Sequence, residues 1–385
     1  MTLINFFANK IDTDLQCFKY YNGVFNKTQE FGRKENNPLS SKEDNWIICD
    51  EMNINVPNLV ASSALEFCES LNHMNLNNTD EKICFDFGNI KTCDPFPMLI
   101  VSHEIRNRVN EVNKLNCYAR NCNNTYANHM KFFKACGLSQ GEEVEISRGN
   151  SKYSCITKMS VADLKKEGIE NYDVIQEVID KKAKIMASIV AQGNHEFEKW
   201  LSFVIREIIR NIPEHSKSDI IWYCAQYWPT YDLVELAIMD EGIGIKDSLR
   251  ENVNYIKEAN TDENAIRLSL KPGVSGTNIC RNFNRSEWDN SGYGLYMVSE
   301  MCAELDASFI IASGDSAIRV KKRNGIIEHN SIDTKVHGTA IQIRIKPSST
   351  VDYEEIRKKI VQRGEVIAKK DGSAIHVASK SSRGF

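Results

Sequence analysis

The sequence predicts an α/β protein built as two layered units. Three observations carry this. Short apolar runs alternate with helical stretches over about residues 45–145, two amphipathic stretches precede a pair of strand-like runs between residues 174 and 240, and the composition is that of an ordinary globular chain. Of its 385 residues, 42% are hydrophobic and 26% charged, enough apolar surface for more than one core.

The first 45 or so residues are rich in Asn, Lys and aromatics without a clear period, and read as an irregular extension (1–45). From Trp46 the alternation starts. NWIICDEM has strand character, NLVASSALEFCESLN can turn Leu59, Leu65 and Cys68 to one helix face, and KICFDF is a short apolar strand. PMLIVSHEIRNRVNEV reads as a helix, LNCYA as a strand, and YANHMKFFKACGL as a helix stopped by Gly137. This β-α-β-α-β-α rhythm predicts a small α/β layer domain over residues 46–150.

Residues 151–194 read as a linker and helix, with extended or hairpin structure around GEEVEISRGNSKYSCITKMSV before it. The helix VIQEVIDKKAKIMASIVAQ carries Val174, Val178, Ile185 and Ile189 at helical spacing. The second domain spans residues 195–348. HEFEKWLSFVIREIIRNI places Phe197, Leu201, Val204, Ile205 and Ile208 on one face, and DIIWYCAQYW and DLVELAIMD follow as strands. Residues 246–290 are polar and punctuated by glycine, GLYMVSEMCAEL is a helix directly after SGYG, and short strands run through HGTAIQIRI. Residues 349–385 form a basic tail, read as a solvated helix or an interaction arm.

Composition excludes several classes. A net charge of −4 and a pI near 6.1 argue against nucleic acid as a partner. No apolar run reaches the roughly 18 residues of a membrane helix, and the N-terminus lacks the basic-then-apolar order of a signal peptide. The 12 cysteines form no CxxC pair, and several sit in apolar runs. Buried reduced thiols in a cytoplasmic protein fit that pattern better than disulfides or zinc.

Four stretches carry chemistry when taken together. In REIIRNIPEHS, Glu207 and Asn211 stand at i and i+4 and project from one helix face. A carboxylate there can accept a proton from an attacking water, and an amide oxygen can ligate Mg²⁺. In MDEGIGI, Asp240 ends a strand and can accept a hydrogen bond from an exocyclic amine, while Gly242 and Gly244 allow close backbone approach. In NSGYGLYM, Gly292 and Gly294 precede a helix that opens with Leu295, a natural phosphate seat. In HGTAIQIRI, Thr339 opens a strand and can offer its hydroxyl to a phosphate or to Asp240. Each stretch alone is equally an ordinary helix edge, turn or strand.

In this order the four resemble the N, G1, G2 and G3 boxes of the Bergerat-fold (GHKL) ATPases, over about residues 175–347. The segment AIRLSLKPGVSGT between the second and third boxes resembles a lid. The resemblance implies an α/β sandwich with helices on one face of a mixed sheet, and ATP and Mg²⁺ as ligands. It further implies Glu207 as base or water-positioner, Asn211 as Mg²⁺ ligand and Asp240 as adenine reader. Gly242, Gly244, Gly292, Gly294 and Leu295 would shape the loops around the nucleotide, with Thr339 supporting Asp240 or phosphate. His215, four residues beyond Asn211, is similar to the N-x-x-x-H form of anti-sigma-factor serine kinases, and is equally a helix-end histidine.

Two further resemblances lie upstream. VSHEIRN resembles the H-box of sensor histidine kinases, which would make His103 a phosphoacceptor; strand-like segments intervene where a helical hairpin belongs, and Glu207 stands where those kinases carry Asn or His. EKICFDFGNIKTCDPFPMLIVSHEIRNRVNEVNKLNCYARN resembles a STAS domain, the fold of anti-sigma-factor antagonists. There a Ser or Thr follows the loop acid Asp94, but here Pro95 and Phe96 do, and Thr92 is a poor substitute. The combined expectation is a regulatory ATP-binding protein that hydrolyses Mg-ATP slowly and switches an unidentified protein partner through lid closure. A serine/threonine kinase, a histidine kinase using His103 and a non-catalytic nucleotide-gated module remain alternatives. The superfamily often forms homodimers.

Overall fold

The computed structural model describes residues 51–76, 82–112, 116–138, 150–276, 292–348, 351–372 and 377–378. The irregular extension expected over 1–45 lies outside them. The expected α/β class holds, with two sheets. Strands β1 (Glu51–Asn55), β2 (Lys82–Asp86) and β3 (Cys117–Arg120) form a three-stranded parallel sheet in that order. They are joined by helices α1 (Ala61–His73) and α2 (Pro95–Glu111). This is the alternation read from the sequence. The single helix expected at residues 126–138 is instead two short ones, α3 (Thr125–His129) and α4 (Phe132–Ala135). They are split at Lys131, which adopts φ 62°. Gly137, at φ 75°, ends the second turn as expected.

Helix α2 has apolar and polar residues buried on every side, among them Met98, Ile100, Ser102, His103, Glu104 and Ile105. A helix without a solvent face must lie between layers. Its second neighbour is a five-stranded sheet of order β4-β5-β6-β8-β7. The strands are β4 (Tyr153–Ser160), β5 (Ile220–Trp228), β6 (Leu233–Asp240), β7 (Ser308–Arg323) and β8 (Ile326–Ile345). Every pairing is antiparallel, so the expected mixed sheet is corrected. β5 and β6, and β7 and β8, are consecutive antiparallel neighbours, and β8 inserts between β6 and β7. The β7–β8 hairpin closes through Asn324 (φ 50°) and Gly325 (φ 79°), residues that tolerate the left-handed turn matching strand twist.

Expectation also put helices on one face only. Side-chain alternation shows why both faces are covered. Leu236, Ile238, Ile341 and Ile343 join a core with α5 (Val161–Asn171), α6 (Ile175–Ala191) and α7 (His195–Asn211), completed by α10 (Gly294–Glu304) and α11 (Tyr353–Lys370). The intervening Ala237, Met239, Ile310, Ala312 and Ala340 join the core of the N-terminal layer. The continuous apolar run of β6 is the signature of a strand buried on both sides. From Glu51 the chain is therefore one body, in the order sheet, α1/α2, sheet, helices.

Two boundaries shift with it. Residues 151–194 are not a linker: β4 pairs with β5, and Val178, Ile179, Ala187 and Val190 of α6 are fully buried. Nor are the described residues 351–372 of the expected tail a solvated arm. Tyr353 stacks on Trp200 with ring centroids 5.7 Å apart, and Gly364 lies so close to Tyr296 that a Cβ would meet its ring at 2.6 Å. Lys358 and Lys359 lie on the outer side of α11, whereas Arg357 is buried. No helix among the described residues is long and apolar enough to cross a membrane.

Candidate functional site

Helix α7 begins at Asn194, whose side chain accepts the Phe197 N–H at 3.1 Å, and its apolar stripe packs onto the sheet. At its far end Glu207 is 2% exposed, and Oε1 accepts from Arg206 NH2 at 2.9 Å and from Nε at 3.2 Å. Beyond Asn211 the chain widens into one π-type turn (Ile212–Ser216) opened by Pro213, which has no N–H to place. Ser216 Oγ closes that turn on the Ile212 carbonyl at 2.9 Å.

The stretch after β6 docks against this turn. Ile243 N donates to Ser216 O at 2.9 Å, and a Cβ on Gly242 would lie 2.0 Å from the same oxygen. Only glycine permits that approach. Asp240, 4% exposed, accepts the Gly242 N–H at 2.8 Å and pairs directly with Thr339 across β6 and β8. Burial pushes its carboxyl up to about 7, against the lowering effect of the hydrogen bonds from Gly242, Ser216 and Thr339. Gly244 (φ 77°) opens α8 (Gly244–Arg250).

Ser313 Oγ accepts from Ile245 N at 2.9 Å and donates to Gly338 O at 2.8 Å, fastening α8 to both strands of the hairpin. The segment expected to be a polar lid contains a helix in its described part, α9 (Asp262–Ser269). Ala265 and Ile266 are fully buried, and Lys246 Nζ donates to Asp262 at 2.8 Å. Gly292 (φ 68°) packs on Val274, where a Cβ would stand 2.5 Å from the carbonyl oxygen, and Gly273 N donates to Gly292 O at 3.1 Å. Gly294 then starts α10.

These pieces surround one open cleft. Asn211, Asp240, Gly244, Gly292, Gly294, Leu295 and Thr339 line it, from four separate stretches of chain. Glu207 and Gly242 do not line it. Glu207 stands just behind Gly294, and Gly242 acts through backbone contact with Ser216. His215 is on the wall, and burial lowers its imidazole pKa to about 4, so it is neutral near pH 7. Ile208, Ile212, Ile238 and Ile341 give the cleft apolar lining, and Asn211, Asp240 and Thr339 give it polar atoms.

Sequence reasoning missed Ser216, Ser248, Ser269, Ser275 and Gly276 on the wall, and Arg206 and Ser313 behind it. Serines carry no positional signal until the backbone they fasten is known. Arg206, adjacent to Glu207, was the one visible cue. His103 sits elsewhere. It is 2% exposed on α2, with Arg106 NH2 at 2.9 Å from Nδ1 and Asn107 Nδ2 at 2.9 Å from Nε2. Phosphoryl transfer to either nitrogen would require α2 to leave its place.

The residues present fit a magnesium nucleotide on chemistry. Asn211 supplies one hard oxygen donor beside a helix start, too few for a protein-only cage but matching Mg²⁺ held jointly with phosphates. Among the described residues no group of three His, Cys, Asp or Glu could hold a metal on its own. Protein-family models and curated proteins were compared with the chain, and none matches.

Proposed function

We propose that residues 195–348, with the flanking strand and helices, form a Bergerat-fold (GHKL) ATP-binding domain nearest the anti-sigma-factor kinase type. The preceding layer is read as STAS-like. The protein binds Mg-ATP, hydrolyses it slowly and changes its partner contacts as the segment over residues 246–290 closes. The observation that carries the reading is convergence: Asn211, Asp240, Gly294 and Thr339, remote in sequence, line one cleft.

Each residue has a role in this reading. Asp240, when ionised, accepts a hydrogen bond from the exocyclic amine of adenine, and the apolar wall takes the ring. The backbone N–H groups at the start of α10, reached through Gly292 and Gly294, receive phosphate oxygens. Asn211 would hold Mg²⁺ by its amide oxygen, and the ion would supply charge neutralisation at the phosphates. Glu207 Oε2, on the side toward Gly294, orients and deprotonates the attacking water, while Arg206 fixes Oε1. In the STAS-like layer Phe96 is fully buried at the position of a phosphoacceptor, so that layer receives no phosphate there.

Free-phosphate release from Mg-ATP by the full chain, beside Glu207→Ala, tests this. Slow release that disappears in the variant is expected. A chain that binds ATP but releases nothing, while transferring label to a partner hydroxyl, would replace the hydrolase assignment with the kinase one. Neither release nor transfer would leave a nucleotide-gated module and overturn the catalytic role of Glu207.

A further inference from the structure

The face of the sheet opposite the cleft meets α2 at several places, and two of them lie beside the positions proposed to contact nucleotide. On β6, Asp240 points to the cleft, so the next residue, Glu241, points the other way. Its Oε1 accepts from Arg106 NH2 at 2.6 Å and from Trp222 Nε1 at 2.7 Å. Arg106 also stacks over the Trp222 ring at 4.4 Å and donates to the Ala135 carbonyl at 2.8 Å. Burial raises the Glu241 carboxyl, but contacts with His103, Arg106 and Trp222 outweigh it and hold the pKa near about 2. This carboxylate is therefore ionised and anchored at every physiological pH.

On β8 the pattern repeats. The fully buried Glu104 accepts the His337 N–H at 2.9 Å through Oε1, and its Oε2 lies 2.8 Å from His337 Nδ1. Asn72 Nδ2 donates to the same Oε2 at 3.1 Å. Gly338 follows at φ 83°, packed so closely that a Cβ would lie 2.1 Å from Asp240 O, and then comes Thr339. One turn of α2 thus grips the chain one residue past Asp240 and two residues before Thr339.

Resting on the nucleotide-site reading above, we infer that Arg106 and Glu104 are positioning residues of that site: through Glu241 and His337 they fix the strand ends carrying Asp240 and Thr339, and so couple the N-terminal layer to adenine nucleotide binding. Charge-assisted hydrogen bonds in a buried interface are the strong kind, and they set backbone position as well as energy. The far end of α2 provides an internal control. There Arg344 NH1 donates to Asp94 at 2.8 Å, in the same interface but at the opposite end of β6 and β8 from Asp240. Coupling is reciprocal, so nucleotide must also tighten α2.

The test is Mg-ATP titration of the full chain, Arg106→Ala and Arg344→Gln, with thermal unfolding of each. Arg106→Ala should weaken ATP binding about tenfold, a typical coupling magnitude. Arg344→Gln should lower the unfolding temperature yet leave affinity within about twofold. Equal affinity in the folded Arg106→Ala and wild-type chains, or equal loss in both variants, would overturn the inference. Should Arg106→Ala not fold, hydrogen exchange of the wild-type chain decides. Saturating Mg-ATP should slow amides 98–108 of α2, and unchanged exchange there would overturn it. Failure of the wild-type chain to bind ATP would instead count against the nucleotide site itself.

Discussion

Gly294 stands so close to Glu207 that a Cβ on it would lie 3.0 Å from Glu207 Oε2 and 3.8 Å from Asn211 Nδ2. The start of α10 and the carboxylate of α7 therefore share one space, in which a side chain and a correctly placed Glu207 compete.

Gly294→Ala should consequently reduce phosphate release more than it reduces stability. The backbone of Gly294 is not in the left-handed region, so alanine costs little strain there, and the obstructed atom is a side-chain oxygen that can move aside. A tenfold or greater loss of release rate with roughly 1 kcal/mol or less lost in urea unfolding is expected. Gly242→Ala differs, because its Cβ would meet the backbone oxygen of Ser216 at 2.0 Å. That variant should lose several kcal/mol, on the order of 3. Equal effects on stability from the two substitutions would contradict this picture.

Asp240 carries a stability cost when it is ionised. Its folded-state pKa, raised to about 7 by burial, exceeds the roughly 3.9 of an unfolded aspartate. Stability from the protonated form is full below about pH 4 and is lost as pH rises through about 7. Asp240→Asn should thus stabilise the ligand-free chain at pH 8 by up to about 4 kcal/mol, with little gain at pH 4. The difference between the two unfolding curves isolates this group from Glu235 and Glu241. For binding the sign reverses: adenosine, which has no group titrating near neutrality, should bind more weakly at pH 6 than at pH 8. A wild-type chain with pH-independent adenosine affinity would refute the role of the ionised form.

Much of the site was legible because its residues differ in kind from their surroundings. Glycines beside acids and amides at the ends of apolar runs mark backbone approach and polar chemistry without any tertiary knowledge. The three-stranded parallel layer was legible through its alternation. What could not be seen is which layers touch. β6 reads LVELAIM, and nothing in that run says that Leu236 and Ile238 meet α7 while Ala237 and Met239 meet the N-terminal layer. Antiparallel pairing of every strand, the recruitment of β4 and the packing of α11 depend on partners distant in sequence. A basic helix such as 353–370 shows its charges in the sequence, whereas the contact of Tyr353 with Trp200 appears only in the fold.

Glu235 holds the start of α2 against the sheet. It is fully buried, accepting from Phe96 N at 3.0 Å and Gln342 Nε2 at 2.9 Å, with Arg344 NH1 at 3.3 Å. Glu235→Ala would strand the Gln342 amide and the Phe96 N–H in a closed interface, while Arg344 keeps its bond to Asp94. A loss of about 2–4 kcal/mol by chemical denaturation is expected. A loss below about 1 kcal/mol would mean that the two layers do not depend on this contact.

His103 should not carry phosphate. Incubation with γ-labelled Mg-ATP is expected to leave no acid-labile label on the chain, since both ring nitrogens are engaged within α2. Label that disappears in His103→Gln would revive the histidine-kinase reading and require α2 to swing out.

One cleft, assembled from four distant stretches, is proposed to bind a magnesium adenine nucleotide. Its most direct test is calorimetric titration of the full chain with Mg-ATP, beside Asp240→Ala and with Mg-GTP as the competing base. Saturable binding of Mg-ATP, at least tenfold weaker binding of Mg-GTP, and loss of binding in Asp240→Ala are the results expected. No binding of Mg-ATP to the wild-type chain at concentrations on the order of 1 mM would contradict the claim.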